Sequence, residues 1–376
     1  MQSNLSHDHP LFQKQLFKIK GITSAKDATR GGFSPNVGKS TLFNALTKKQ
    51  VAVENYPFCT IDPNVGIVEV PDERLNKLAR VSKPAKIIPT TIKFIDIAGL
   101  VKGAHKGEGL GNQFLAHIRE CDAICEVVRD FQDNNIIHVD GKIDPDGDVE
   151  TINLELIFSD LNTVEKRLSK AEKNARTGDK KLIEYKNLLQ KIKQNLEKGT
   201  SARAIELNAD EKKQIYDLNL ITIKPIIYIL NVSELNEQKK LQNNKTIQID
   251  VKLEQEISAL PENEQKEYIK ELGLVQSGLD KLIQTCYELL DLITFFTTGT
   301  DETRAWTVNN GAIAPQAAGV IHTDFEKSFI RAEVINWEKF IEVDGEQKAR
   351  EQGLIRTEGK DYVMQDGDVC NFLCKQ

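Results

Sequence analysis

No apolar run in these 376 residues approaches the ~20 consecutive positions that a bilayer-spanning helix requires, so no membrane span is expected. The N-terminus carries charges but no apolar stretch closed by small residues, which argues against a secretory leader and makes the cytoplasm the expected compartment. A basic excess is missing as well. Lys and Arg number 50 against 56 Asp and Glu, a net charge of −6, which excludes a general nucleic-acid coat but not a local basic patch. Sequence-specific DNA is therefore not an expected partner. Cysteine is sparse: Cys59, Cys121, Cys125, Cys286, Cys370 and Cys374 are scattered, and the close pairs are separated by three residues rather than two. Neither a disulfide framework nor a metal motif is expected, and the six read as small buried hydrophobes. Internal repeats and low-complexity tracts are also absent.

What is present is enough chain for two or three domains, at roughly 150 residues each. From Pro35 to about Val149, short apolar runs alternate with Gly-rich turns and helical patterns, as in a parallel sheet with crossover helices. Expected strands are Gly66–Val70, Ile92–Ile97, Ala123–Val128 and Pro225–Asn231, the last apolar enough to be covered on both faces. Between about Glu150 and Asp217 charge dominates, and Ile157, Leu161, Val164, Leu168 and Ala171, then Leu182, Leu188 or Leu189, Ile192 and Leu196 recur at helical spacing. A Gly178-Asp179 break between them predicts an antiparallel helical hairpin. Its Lys-rich surface is either a solvated face or a landing surface for a large acidic partner such as ribosomal RNA. After about Leu290, alternating segments at Ala305–Val308, Phe329–Val334 and Asp361–Val363 predict a small mixed sheet, with a helix near Trp337–Phe340. A strand–turn–strand is expected over Val363–Val369, with Asp366-Gly367 at the turn.

The strongest local signal is Asn36-Val37-Gly38-Lys39-Ser40-Thr41, which opens the apolar helix pattern Leu42, Phe43, Leu46. A phosphate needs converging backbone N–H groups, so the loop must turn tightly, and the following helix adds the positive end of its dipole. In such a loop Lys39 bridges the β- and γ-phosphates, the Ser40 hydroxyl ligates Mg²⁺, and Thr41 adds an α-phosphate contact. Asp96 closes an apolar strand, the position from which a carboxylate reaches Mg²⁺, and Gly99 follows where its N–H meets the γ-phosphate. Thr60 lies between the two motifs, either a third Mg²⁺ ligand on a nucleotide-ordered loop or a turn threonine.

These motifs resemble the Obg-related translation-factor GTPases, and within them the YchF subfamily, called Obg-like ATPases in eukaryotes. Further markers are Asn55-Tyr56-Pro57-Phe58-Cys59-Thr60-Ile61, Asp96-Ile97-Ala98-Gly99-Leu100-Val101, Gly107-Glu108-Gly109-Leu110-Gly111-Asn112, Arg304-Ala305-Trp306-Thr307-Val308, His322-Thr323-Asp324-Phe325-Glu326-Lys327 and Gln365-Asp366-Gly367-Asp368-Val369. The resemblance implies an α/β P-loop NTPase G domain with a parallel-rich sheet, an inserted helical (coiled-coil) hairpin and a C-terminal β-grasp TGS domain. The corresponding boundaries are 34–290 for the G domain, with the hairpin at about 150–218, and 291–374 for the TGS domain. It also implies Mg²⁺ as cofactor, ATP as substrate with GTP an alternative, and the ribosome or its large subunit as partner.

Three positions depart from ordinary GTPases. Their base-reading Asn-Lys-x-Asp is here Asn231-Val232-Ser233-Glu234, with a longer carboxylate and no lysine along the base, which should lower guanine preference by a few kcal/mol, roughly. The resemblance places Val232 against adenine. Leu100 occupies the place of the water-orienting Gln and cannot hydrogen-bond. The resemblance points instead to His138, which otherwise reads as a structural histidine; His105 is a weaker candidate. Finally, the loop's first Gly position holds Phe33, and Ile22–Arg30 is not strand-like. The best upstream strand is Leu16–Ile19. Either an improvised strand replaces the usual first one, or residues 1–33 are a divergent segment that never pairs centrally; the second is favoured.

Overall fold

The computed structural model describes residues 18–23, 37–48, 64–96, 110–132, 143–235, 241 and 245–375. In chain order its first elements are β1 (Lys18–Thr23), α1 (Lys39–Lys48), β2 (Val65–Glu69), α2 (Glu73–Ser82), β3 (Lys86–Ile88) and β4 (Thr91–Asp96). There follow α3 (Leu110–Arg119), β5 (Ala123–Asp130), α4 (Pro145–Ala175), α5 (Lys180–Glu197), α6 (Ala209–Gln214), β6 (Ile226–Val232) and β7 (Thr246–Ile249). The next are α7 (Val251–Ile257), α8 (Glu262–Glu271), α9 (Gly278–Leu289), β8 (Leu292–Thr298), β9 (Glu302–Asn309), α10 (Ala314–Ile321) and α11 (Thr323–Ser328). The last are β10 (Phe329–Asn336), α12 (Trp337–Glu342), α13 (Glu346–Glu351), β11 (Arg356–Glu358) and β12 (Asp368–Cys374).

These elements form two compact units, one holding residues 18–48 and 94–279, the other the described part of 49–93 together with 280–376. In the first, the sheet order runs β4, β1, β5, β6, β7, with β1–β5, β5–β6 and β6–β7 all parallel. β5 and β6 are buried along almost their whole length, which is why β6 reads as a nearly continuous apolar run. β1 corrects the sequence reading. Residues 19–23 pair in register with Ala123–Val127 in the middle of the sheet, so this part of the N-terminal segment does pair centrally, and Ile22 and Thr23 belong to a strand. Lys18-Ile19-Lys20-Gly21-Ile22-Thr23 lacks the apolar run of its neighbours, so composition alone hides it.

α4 and α5 are the expected hairpin, although α4 starts at Pro145, five residues before the predicted boundary. Asp144 caps it by accepting from Gly147 N at 3.1 Å, and Asp179 caps α5 by accepting from Lys181 N at 2.8 Å. The two helices share an apolar seam of Ile157, Val164, Leu168, Leu188, Leu189 and Ile192. The Glu165–Lys193 ion pair at 3.0 Å and the Arg167–Tyr185 bond at 3.3 Å run in opposite chain directions, which makes the pair antiparallel. At its root the carboxylate of Asp160, wholly buried, accepts from Ile221 N (2.8 Å), Thr222 N (2.7 Å) and Thr222 Oγ1 (2.7 Å). That pins the turn before β6 to α4.

The second unit is a mixed sheet in the order β11, β10, β12, β8, β9, β3. Within the range expected for the G domain, β3 pairs parallel with β9, and Leu75 and Leu78 of α2 pack with Phe296, Ile335 and Val369. Long-range pairing of this kind leaves no local trace. The strand–turn–strand over 363–369 is half correct: Asp366-Gly367 turns into β12, but Val363 makes only an isolated bridge to Ile313. Cys121, Cys125, Cys286 and Cys370 are buried, and no cluster of metal-ligating side chains occurs among the described residues.

Candidate functional site

The site is built where β4, β6 and β7 end and α1 begins. Gly38 has φ +89°, a left-handed conformation that glycine adopts without strain, and a Cβ there would run into the Asn231 amide. Its carbonyl accepts Leu42 N at 2.8 Å, starting α1. Lys39 is therefore the first helical residue, with exposed Ser40 and half-buried Thr41 in the same turn. The Lys39 ammonium forms an ion pair with the Asp96 carboxylate, both side chains being shielded at 13% and 16% exposure. Residues 57 positions apart thus converge at the positive end of a helix.

Asn231, only 6% exposed, does more than end a strand. Its Nδ2 donates to Val37 O at 2.9 Å, and its Oδ1 accepts Val251 N at 3.2 Å. One side chain thus ties the phosphate loop to the start of α7. The sequence reading missed the β7–α7 junction, where Asp250 caps α7 by accepting Lys252 N (3.1 Å) and Leu253 N (3.0 Å). An Asp directly after an apolar strand and before a helical pattern was the available signal. It also missed Arg129, in register with Asn231, whose guanidinium lies 4.7 Å over the Phe131 ring.

The structure brings together Val37, Gly38, Lys39, Ser40, Thr41, Asp96 and Asn231. It does not bring in Val232. Side chains alternate along a strand, and Val232 packs on the other face with Val128, Val149 and Leu241, away from the loop that Asn231 holds. Glu234 is exposed beyond the end of β6. Asn36, Thr60, Gly99 and His138 lie outside the described residues, as do Phe33, Leu100 and His105. The donors in place, an Asp carboxylate and a Ser hydroxyl beside a lysine, are hard oxygens of the kind Mg²⁺ takes, so this half of the site fits that ion.

Replacing Asn231 by alanine leaves Val37 O and Val251 N without their partner inside the protein. Nucleotide affinity measured by calorimetry is expected to fall about ten- to hundredfold, from roughly 1–3 kcal/mol of lost pairing. An unchanged affinity would show that the loop holds its shape unaided.

A glycine-turned loop on a helix N-terminus, beside an Asp that ends a strand of the sheet, defines a P-loop NTPase. Residues 34–157 match the family described as 50S ribosome-binding GTPase, and residues 292–375 match the C-terminal domain of YchF-type GTPases, described as a protein of unknown function. Proteins named Ribosome-binding ATPase YchF from Bacillus subtilis (strain 168) and Escherichia coli O157:H7 are each 50% identical, over 352 and 350 residues, covering 90% of this chain and 96% of theirs. The solved structure of the Schizosaccharomyces pombe YchF GTPase superposes with a TM-score of 0.83 at 38% identity, covering 96% of this chain and 98% of that one. The chain belongs to the YchF family.

Proposed function

We propose that this chain is a Mg²⁺-dependent ATPase of the Obg-like type that acts on the ribosome as a nucleotide-gated regulator in the cytoplasm. The convergence of Lys39 and Asp96 beside Gly38 is the observation that carries the chemistry. The ribosomal partner rests on the relatives, which are named ribosome-binding ATPases. In this reading the C-terminal sheet is a TGS domain of β-grasp form, and α4–α5 is a coiled-coil arm reaching toward the large subunit.

The reaction is attack of water on the γ-phosphate of ATP, driven by positioning and charge neutralisation. Lys39 leaves Asp96 to bridge the β- and γ-phosphates, and Gly38 with the first turn of α1 offers backbone N–H groups to the same oxygens. Bound Mg²⁺, held by Ser40, Thr60 and Asp96, would supply the remaining neutralisation of phosphate charge. Asn231 keeps the loop shaped, and Gly99 N–H meets the γ-phosphate. His138 orients the water, a task that Leu100 cannot perform.

Base choice rests on Asn231 and Glu234, whose longer carboxylate sits poorly in the guanine-reading plane. Calorimetry with Mg²⁺ and either ATP or GTP should show ATP bound at least as tightly. GTP binding much more tightly would make the chain a plain GTPase. A second reading, a ribosome-binding switch with negligible hydrolysis, is favoured by Leu100 in place of a glutamine. Single-turnover assays separate the two: His138→Ala should slow turnover on the order of 10²-fold if this group orients the water. An already background rate that the substitution leaves unchanged favours the switch.

A further inference from the structure

Glu126 stands in the middle of β5, wholly buried, and neither carboxylate oxygen has a hydrogen-bond partner among the described residues. The strand register sets it beside Tyr228 of β6. The same face carries apolar clusters, with Ile124, Ile152 and Leu156 in one and Val128, Val149 and Tyr228 in the next. Arg203, in the short turn 202–204 after α5, is hydrogen-bonded to the side chain of that same Tyr228, and its Nε and Nη2 are buried and unpartnered among the described residues. Those two nitrogens form the side-on edge of the guanidinium, the edge that meets both oxygens of a carboxylate in a bidentate pair. The unmet donors and acceptors therefore match in number, sign and shape.

Unmet groups of this kind are costly in a low-dielectric interior, and complementary ones near each other define a second arrangement in which both are satisfied. We propose that Glu126 and Arg203 are the two halves of a latch between the central strand β5 and the root of the hairpin. It is open in this structure and closed when the Arg203 fork docks on the Glu126 carboxylate. The groups that face the pair are Asp148, Asn153 and Asp160 from α4 and Tyr228 from β6, whose hydroxyl accepts Asn153 Nδ2 at 3.0 Å.

Burial pushes the Glu126 carboxyl well above the usual carboxylate range; the Arg203 charge opposes this and the Asp148 charge adds to it. Burial likewise lowers Arg203, against the pull of Tyr228, Asp160 and Glu126. The open form thus carries a proton on Glu126, and closing releases it to solvent. Because the raised carboxyl holds its proton until pH passes well above the ordinary carboxylate value, the closed fraction grows as pH rises. Arg203 lies just past α5, so closure draws the returning end of the hairpin toward the central strand. The proposal concerns the arm's anchorage and does not depend on ATP being the substrate.

The test is hydrogen exchange of the full chain between about pH 6 and 9, the range documented for buried carboxyls. Wild type is compared with Glu126→Gln, Arg203→Met and the double variant. After correction for intrinsic exchange, wild-type protection over residues 202–205 should rise roughly tenfold with pH. Each single variant should abolish that step, and the double should equal either single. A step that survives Glu126→Gln, or effects of the two substitutions that add, overturns the latch. Infrared spectra of the wild type keep the test open if the variants fold poorly. The buried protonated-carboxyl band should fade over the same range, and a constant band overturns the proposal.

Discussion

Substitution of Lys39 by alanine should slow single-turnover hydrolysis of ATP by about 10²–10³-fold, the range found when one preorganised charge-stabilising donor is removed. The argument follows from its position. Lys39 opens α1 and pairs with Asp96, so its ammonium already stands where the loop, the helix end and the Asp96 carboxylate meet. Alanine removes the cation and leaves the Asp96 charge without its partner, at a spot meant for phosphate oxygens. If Lys39 bridges the β- and γ-phosphates as proposed, binding of ATP should suffer more than binding of ADP. Lys39→Arg is expected to rescue little, since a planar fork does not replace a compact ammonium in a tight loop. Rapid-quench measurement of phosphate release, with thermal melts to show that the variant is folded, checks the expectation. Turnover within threefold of wild type would remove this loop from the chemistry.

The second large effect falls on stability. Asp160→Ala should destabilise the unit that contains β5 and β6 by about 3 kcal/mol, because it strips the buried N–H groups of Ile221 and Thr222 of their acceptor. Arg119, whose Nη1 lies 3.5 Å from Asp160, also loses its counter-charge. Burial raises the Asp160 carboxyl above its ordinary range; the bonds from Thr222 and Ile221 and the Arg119 charge pull against it. Asp160→Asn keeps the shape but turns an NH₂ toward backbone N–H donors, so it should recover only part of the loss. Urea unfolding followed by circular dichroism reports both. An Asp160→Ala midpoint equal to wild type would mean that the turn before β6 is held by its apolar contacts alone.

The two kinds of residue that carry these expectations differ in how visible they are in the sequence. Lys39 and Asp96 announce themselves, because phosphate binding demands a rare local pattern and a strand-end carboxylate at a fixed remove. β6 does too, since burial on both faces requires the run Ile226-Ile227-Tyr228-Ile229-Leu230. The hairpin is legible from its apolar spacing and its Gly178-Asp179 break, and Asp179 is the cap of α5.

What stayed hidden is non-local. β1 is a modest stretch whose place depends on pairing with Ala123–Val127, a hundred residues away in no recognisable code. The same holds for β3 against β9 and for α2 beneath the second sheet. Asn231 reads as an ordinary strand end until its partner at Val37 is seen. Val232 is a different case. Alternation along β6 already puts it on the face opposite Asn231, so a period-two reading separates the two residues without a structure. Glu126 interrupts the apolar β5 run, and only burial shows that it lacks a solvent-facing side.

The order of strands in the second sheet also bears on how the protein is made. Its interior strand β12, which lies between β10 and β8, is the last of its strands to be synthesised, whereas β3 at one border is among the earliest. A growing polypeptide therefore carries α2 and β3 for on the order of tens of seconds, at elongation rates of roughly 5–20 residues/s, before the centre of their sheet exists. Messages cut short near the 3′ end would yield proteins with an intact phosphate loop and a sheet split down the middle, so quality control should recognise them by the apolar face of α2 rather than by any failure to bind nucleotide.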